Sequence, residues 1–456
     1  MSTSRFEKSG AVKIGRRLSR RKLAVYTGAS LGALVLAVAV FILVFGDAIL
    51  SRYGKEKMER AFAEAYPRSK LQIGELDYSV CANRLVVQSA TIRATDSTIK
   101  VGRISLTGVR WVRLLWGKAA LTEVLAKSGL EATDLDVEFP RARYEIRCTR
   151  LRASGPGSEL IAEGAELRPL VGDEAFFAAH DFRTTRFHVV VPECKISGLA
   201  YGELLQGKSY RAKSIHLSLP SFEALVNTDK PSASGKSPLM VHEALASIRR
   251  PLQVDRLSVT NGHIGYCERP VVGAAPGILT FGAVNLSAEG IANQGGVTSA
   301  VKLLAQGDLM NTGTMKVQMS IPITPPDFSF HYSGSLGPMD LSRLSPFLDI
   351  VEHIRIKSGH VQEATFEIDV TAGRARGHVR ATFKDFIIAV LDDRTGAERG
   401  FASFLANLFK IRNSNATNAS GSTKERQVNY ARKPEDTFLG FAWAALRSGL
   451  LDVIGH

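Results

Sequence analysis

The residues that could do chemistry come as near misses. VHEAL, residues 241–245, begins as a zinc-protease helix begins, where two histidines four apart hold the metal and the intervening glutamate activates water. The second histidine would have to stand at Ala246, so His242 has no partner and a short surface helix is expected. SGSLG, residues 333–337, sets Ser335 where a nucleophile elbow holds its serine, but the leading glycine is Ser333. GKS at 235–237 lacks the earlier glycine of a phosphate loop, whose backbone amides would cradle the phosphate. DLDVE alternates Asp134, Asp136 and Glu138 along an expected strand, which would line up carboxylates for a hard cation. A solvated face opposite Leu135, Val137 and Phe139 is the simpler expectation. The ten histidines are scattered. No catalytic residue, metal site or cofactor is expected, and the chain does not read as an enzyme. Cys81, Cys148, Cys194 and Cys267 form no C-x-x-C pair, so free thiols are expected; in an exported chain their pairing stays open.

What the chain offers instead is apolar surface at strand spacing. LDYSV puts Leu76, Tyr78 and Val80 on one side. The same period of two recurs in Ile104 and Leu106, in Met315, Val317, Met319 and Ile321, in Phe328, Phe330 and Tyr332, and in Phe366, Ile368 and Val370. Such runs, with turns every ten or so residues and no βαβ rhythm, predict a mainly β fold and a largely antiparallel sheet. LSVTNGHIGY, residues 257–266, predicts a hairpin turning on Asn261 and Gly262, with Val259 opposite Ile264 and Leu257 opposite Tyr266 on one face. Short helices are expected over LMVHEALASIRR before Pro251, over MDLSRLSPFLDIVEHI with Pro346 in its first turns, and before Pro67 with Met58, Phe62 and Ala65 on one side. Residues 101–118 and 191–208 align without a gap, each predicting a strand, a glycine turn at Gly108 or Gly198, and a short helix ending Leu-Leu-x-Gly-Lys.

The formal charge of +14 is concentrated in a tail, residues 1–22, where eight basic residues face Glu7 alone. With no basic stripe interleaved with aromatics beyond it, nucleic acid is not an expected partner. Residues 23–46 hold no charge; at about 1.5 Å per residue a helix of that length crosses a bilayer of roughly 30 Å. An uncleaved signal anchor is expected, with the basic tail on the cytoplasmic side. Beyond it the sequence divides into a first β region at 47–226, a polar linker at 227–238, a second β region at 239–411, a disordered loop at 412–427, and an apolar C-terminal helix within 428–456. That helix, with FASFLANLFKI at 401–411 beside it, is expected to plug the end of an apolar groove; docking on a membrane or an envelope protein is the rival expectation.

Together the basic tail and anchor, IGELDYSVCANRLVVQSATI, the LLxGK units, PLQVDRLSVTNGHIGYCE, FGAVNLSAEGI, YSGSLGPMDLSRLSPFLD and IKSGHVQEATFEIDV resemble the AsmA-like superfamily of bacterial envelope proteins. The resemblance implies a single-pass inner-membrane protein whose periplasmic body is a long curved antiparallel β groove with short helices. Larger relatives are implicated in moving phospholipid toward the outer membrane or maintaining it. Membrane lipid is then the expected partner, bound without covalent chemistry on a lining that includes Leu76, Tyr78, Val259, Ile264, Tyr266, Val317, Met319, Phe328, Phe330, Phe366 and Ile368. The alternative expectation is a periplasmic scaffold or assembly factor that works through protein contacts.

Overall fold

A computed structural model describes residues 59, 62–63, 67–79, 83–108, 127–232, 237–295, 299–323, 327–392 and 425–455. The tail, the expected anchor at 23–46, Cys81, residues 109–118 of the first repeat and the segment 401–411 lie outside them. No helix among the described residues is long and apolar enough to cross a membrane.

The described chain is mainly β, and its eighteen strands form one sheet. They are β1 (Lys70–Ser79), β2 (Arg84–Arg93), β3 (Thr98–Thr107), β4 (Gly129–Phe139), β5 (Tyr144–Ser154), β6 (Glu159–Pro169), β7 (Thr185–Ser197), β8 (Tyr210–Ser218) and β9 (Ser221–Asn227), then β10 (Leu252–Arg269), β11 (Gly277–Ala292), β12 (Ala300–Leu309), β13 (Gly313–Pro322), β14 (Phe330–Leu336), β15 (Met339–Asp340), β16 (Ile354–Thr371), β17 (Arg374–Val390) and β18 (Glu425–Ala431). The helices are α1 (Asp173–Ala178), α2 (Tyr201–Leu205), α3 (Val241–Ala246), α4 (Ser345–Val351) and α5 (Phe438–Gly455). Strands β1 to β7 pair antiparallel in chain order. β8 and β9 lie end to end beside β7. From β10 to β18 the pairing is antiparallel again.

The one departure from antiparallel order is β10, which runs parallel to both β8 and β9. A parallel neighbour needs a crossover. Residues 228–251 provide it, with α3 laid over the sheet and Met240 fully buried there. The polar stretch 227–238 therefore does not separate two β regions: the sheet runs through the division, and Asn227, expected to open the linker, is fully buried with its side chain accepting from the Thr184 amide at 2.6 Å. Two further boundaries move. β18 takes Glu425–Ala431 from the expected loop and helix, and α5 starts only at Phe438.

The Asn261-Gly262 hairpin does not form. β10 runs straight through it, and Val259 pairs with Leu286 and Ile264 with Phe281 on β11. Asn261 takes its positive φ, 52°, within a bulge rather than a turn. The turn rule is satisfied by a different structure, because a left-handed residue is equally what a bulge needs. Its consequence for the side chains matches the expectation: an odd shift inside one strand returns Ile264 and Tyr266 to the face of Leu257 and Val259.

That slip recurs along a line. In β1 to β7 the inward residues are spaced by two except for one step of three in each strand: Ile73 to Leu76, Val87 to Ala90, Val101 to Ile104, Ala132 to Leu135, Cys148 to Leu151, Ala162 to Ala165 and Val191 to Cys194. Ser89, Asp134 and Gly164, in alternate strands, make the step with φ of 53°, 55° and 62°. The facing strands supply small or accommodating residues there; a Cβ on Gly102 would come within 2.9 Å of the Asp134 Cβ. The line continues through Leu219 between β8 and β9, Asn261 in β10 and Ala283 in β11. In β1 to β7 both strands of each pair make the step together, so the register is kept and the oily face continues across the line. Asp134, which makes the step in β4, is exposed, and Asp136 and Glu138 alternate with the buried Leu135, Val137 and Phe139 as expected.

Candidate functional site

Cross-strand partners share a face, so the register can be followed from edge to edge. One row passes through Leu76, Val87, Ile104, Ala132, Leu151, Ala162, Cys194 and Leu217, crosses to Val259, and continues through Leu286, Ala305, Val317, Gly334, Phe366 and Val379. The row beside it starts at the Tyr78 position and runs through Leu85, Leu106, Leu130, Ala153, Leu160, Ile196, Ile215, Leu257, Ala288, Leu303, Met319, Tyr332, Ile368 and Gly377 to Val428. Neither row contains a charged side chain until Arg426 ends the first. Across the slip line another row joins Leu71, Ile92, Ile99, Val137, Ile146, Leu167, Val189, Phe222, Ile264, Phe281 and Leu309. With strands about 4.8 Å apart, the longer rows extend on the order of 70 Å.

The lining is covered unequally. Over β1 to β5 it is mostly buried, with Phe62 packed into the same cluster and Leu76, Leu130 and Ile146 half-buried at its margin. Over β14 to β18 it lies under α5: Phe441 and Ala445 are fully buried, the Phe441 ring meets Phe328 at 5.1 Å and Tyr430 at 5.6 Å, and the Tyr332 hydroxyl donates to the Ala442 carbonyl at 3.0 Å. Burial pushes the Tyr332 hydroxyl pKa up. Beside β15 the turn Leu341–Leu344 and α4 close another part, with Pro346 in the first turn of α4. α4 packs on β11 and on β16, although β12, β13 and β14 lie between. α4 thus bridges strands that a flat sheet would hold about 19 Å apart. Between these covers, from β6 to β13, Ala162, Cys194, Leu217, Leu257, Val259, Leu286, Leu303, Val317 and Met319 are only half-buried, while Ala288, Val301 and Ile321 on the same strands are buried in the cluster that includes Met240 of α3.

The expected lining residues thus fall on one face but in two conditions. Val259, Ile264, Tyr266, Val317, Met319 and Leu76 are half-buried, whereas Phe328, Phe330, Phe366 and Ile368 are buried. Tyr78 is placed by its pairing with Leu85. Sequence reading missed most of the lining from β2 to β8, where the step of three breaks the period of two.

The opposite face is more polar, although it carries the exposed Leu304 and, near β9 and β10, the buried Leu225 and Cys267 packed with Phe176 and Phe177. A concavity of about 1000 Å³ lies on it, walled by Gln306, Lys316 and Gln318 on one side and Glu367, His378 and Arg380 on the other, with Ser333 and Ser335 in its floor. Ser335 faces Thr365, with no histidine beside it. Glu367 stands between Ser333 and His378, an order in which the histidine cannot serve the serine. Among the described residues no cluster could hold a metal ion. Glu138 pairs with Lys100, and Asp136, whose carboxyl pKa is raised by burial and then by Glu145 and Glu138, lies beside Arg147. His242 stacks on Phe328 at 5.9 Å, and Glu243 caps α3 by accepting from the Met240 amide at 2.7 Å. Cys148, Cys194 and Cys267 are free thiols whose pKa values burial raises, that of Cys267 to about 11. The second repeat copy forms the end of β7, Gly198 at φ 63°, α2 and Gly207 at φ 64°. No family model matches the chain, and no curated protein matches it significantly.

Proposed function

We propose that this chain is an anchored envelope protein that binds lipid acyl chains on the apolar face of its sheet and passes them along it, a non-enzymatic role in outer-membrane maintenance. The observation that carries the reading is the pair of uncharged rows, which keep their register across the described strands and whose members between β6 and β13, Ala288 excepted, are only half-buried. A soluble protein gains nothing by leaving such a strip wet. Withdrawing acyl methylenes from water stabilises by about 0.8 kcal/mol each, so a dozen laid on the strip are worth on the order of 10 kcal/mol before ordering costs. The resemblance to AsmA-like proteins and the anchor expected at 23–46 supply the setting: an inner-membrane attachment and a periplasmic body.

The test is native mass spectrometry of the full chain extracted in mild detergent, compared with a Val259→Asp, Val317→Asp variant. Co-extracted lipid should be present and should fall sharply in the variant while the fold, followed by circular dichroism, is kept. A body that carries no lipid, or one indifferent to the two carboxylates, sinks the reading. One observation favours the scaffold alternative: Leu439 and Trp443, a turn apart on the outer side of α5, are 70% and 51% exposed, as a partner-binding helix would be. Leu439→Ser with Trp443→Ser would then cost a co-purified protein and leave lipid content unchanged.

A further inference from the structure

The tip joining β10 to β11 is bare of polar side chains. Val271 and Val272 are 60% and 63% exposed, and Gly273, Ala274 and Ala275 are exposed beside them. The turn satisfies part of its own backbone, since the Ala274 amide donates to the Val271 carbonyl at 3.2 Å. β12 ends where Leu309 pairs with Phe281, so β11 from residue 277 to 280 runs about 13 Å beyond its neighbour. The overhang is braced. Phe347 of α4 packs on the Tyr266 ring at 6.1 Å, and Gly277 lies so close under α4 that a Cβ would come within 2.7 Å of Val351.

Three observations decide what covers this tip. First, it stands on the rim where the chain enters the sheet: β1 starts there at Lys70, with Phe62 buried against the apolar face and the Glu59 carboxylate accepting from the Ile73 amide at 2.9 Å. The uncharged stretch 23–46 precedes that point. Second, several acidic groups near the tip are already held by arginines, Asp173 and Glu223 by Arg186, and Glu174 by Arg269, and Glu268 accepts from the Tyr266 hydroxyl, which reduces repulsion from an anionic surface. Third, valine, glycine and alanine offer a specific protein partner no hydrogen bond to read, whereas a bilayer interior asks for none.

We propose that the β10–β11 tip inserts into the surface of the bilayer that holds the N-terminal segment, a second attachment that fixes the orientation of the sheet on the membrane. The contact is separate from lipid occupancy of the lining, so either can fail without the other. The experiment uses the full chain, reconstituted into vesicles of phosphatidylethanolamine and phosphatidylglycerol. An environment-sensitive fluorophore is placed at Val272→Cys and, on the opposite rim, at the exposed Gln294→Cys. The label at position 272 should shift to the blue and lose at least half its emission to nitroxide-bearing lipid, while the label at 294 should be unaffected. Replacing Val271 by Asp should abolish the quenching at 272 with the fold intact. Equal behaviour at the two sites overturns the proposal. So does a label at 272 that stays wet in these vesicles but is shielded in native membranes, which assigns the tip to a protein partner.

Discussion

Val317 and Val379 stand in the same register row, a few strands apart, and their surroundings differ completely. Val379 is 1% exposed beneath α5; Val317 is half-buried at the margin of the same apolar cluster. Strand pattern decides that both face the oily side. What decides whether the face is core or surface is the next element laid on it, and that element comes from far away in the chain. At the C-terminal end the cover is α5, fixed by aromatic rings and by the Arg447 guanidinium, which donates to both Glu352 carboxylate oxygens at 2.8 and 2.9 Å. Over β6 to β13 most members of the same rows stay half-buried.

The contrast breaks first at its strongest point. Phe441→Ala deletes a fully buried ring that touches Phe328, Phe330 and Tyr430, and should cost about 3–5 kcal/mol in urea unfolding. Val317→Ala, on the half-exposed strip, should cost roughly 1 kcal/mol or less. Equal losses at the two positions would erase the distinction between core and half-buried strip. A second cut tests the step of three that keeps the rows on one face. Gly164 holds φ at 62°, and a Cβ there would lie 2.5 Å from the Thr149 Oγ1, so Gly164→Val should destabilise by about 1–3 kcal/mol. A neutral outcome would show that the slip line is tolerant of ordinary residues. Smaller again is Arg447→Gln: the Arg447–Glu352 pair is partly solvated, with 43% and 26% of the two side chains exposed, so about 1 kcal/mol or less is expected. Amide exchange should quicken in α5 and not in β13, whereas a uniform change would mean that the pair does not hold the cover locally.

Legibility follows the same division. The period-two runs in β13, β14 and β16 identify strands and their inner faces correctly, because no left-handed residue interrupts those stretches. In β1 to β7 the period of two fails at a single step, and a reading by alternation assigns the residues beyond it to the wrong face, as it would in carrying the inward position of Leu135 and Val137 back past Asp134 to Thr133 instead of Ala132. The signal that finds it is the recurrence of a step of three at matching depth in successive strands. Asn-Gly names the right backbone conformation and the wrong element, since a bulge and a turn make the same local demand. A C-terminal helix, expected from the apolarity, forms as α5, although its seat on β17 and β18 is not legible locally, because Phe441 meets Phe328 across more than a hundred residues.

The smallest effect separates the two regions by pH. His242 stacks against Phe328, and Arg432 lies over the same ring at 5.1 Å. Burial, the largest cause, lowers its pKa from 6.5, Arg432 adds to the lowering, and Glu243 and Asp327 oppose it. The folded state therefore binds this proton less readily than the unfolded chain does. Stability from the neutral ring is fully present above pH 6.5 and is lost as the pH falls below that value, through the lower pKa of the folded state. The two apolar rows over β10 to β13 contain no titratable side chain, so the open strip gives up nothing in the same interval. Amide exchange compared at about pH 8 and about pH 5, after correction for intrinsic rates, should show α3 and the adjoining part of α5 loosening relative to β13. His242→Gln should remove the differential while keeping a polar group of similar size at the Phe328 face. If the differential survives that substitution, the acid response belongs to other groups at the covered end, and His242 is only a packed side chain.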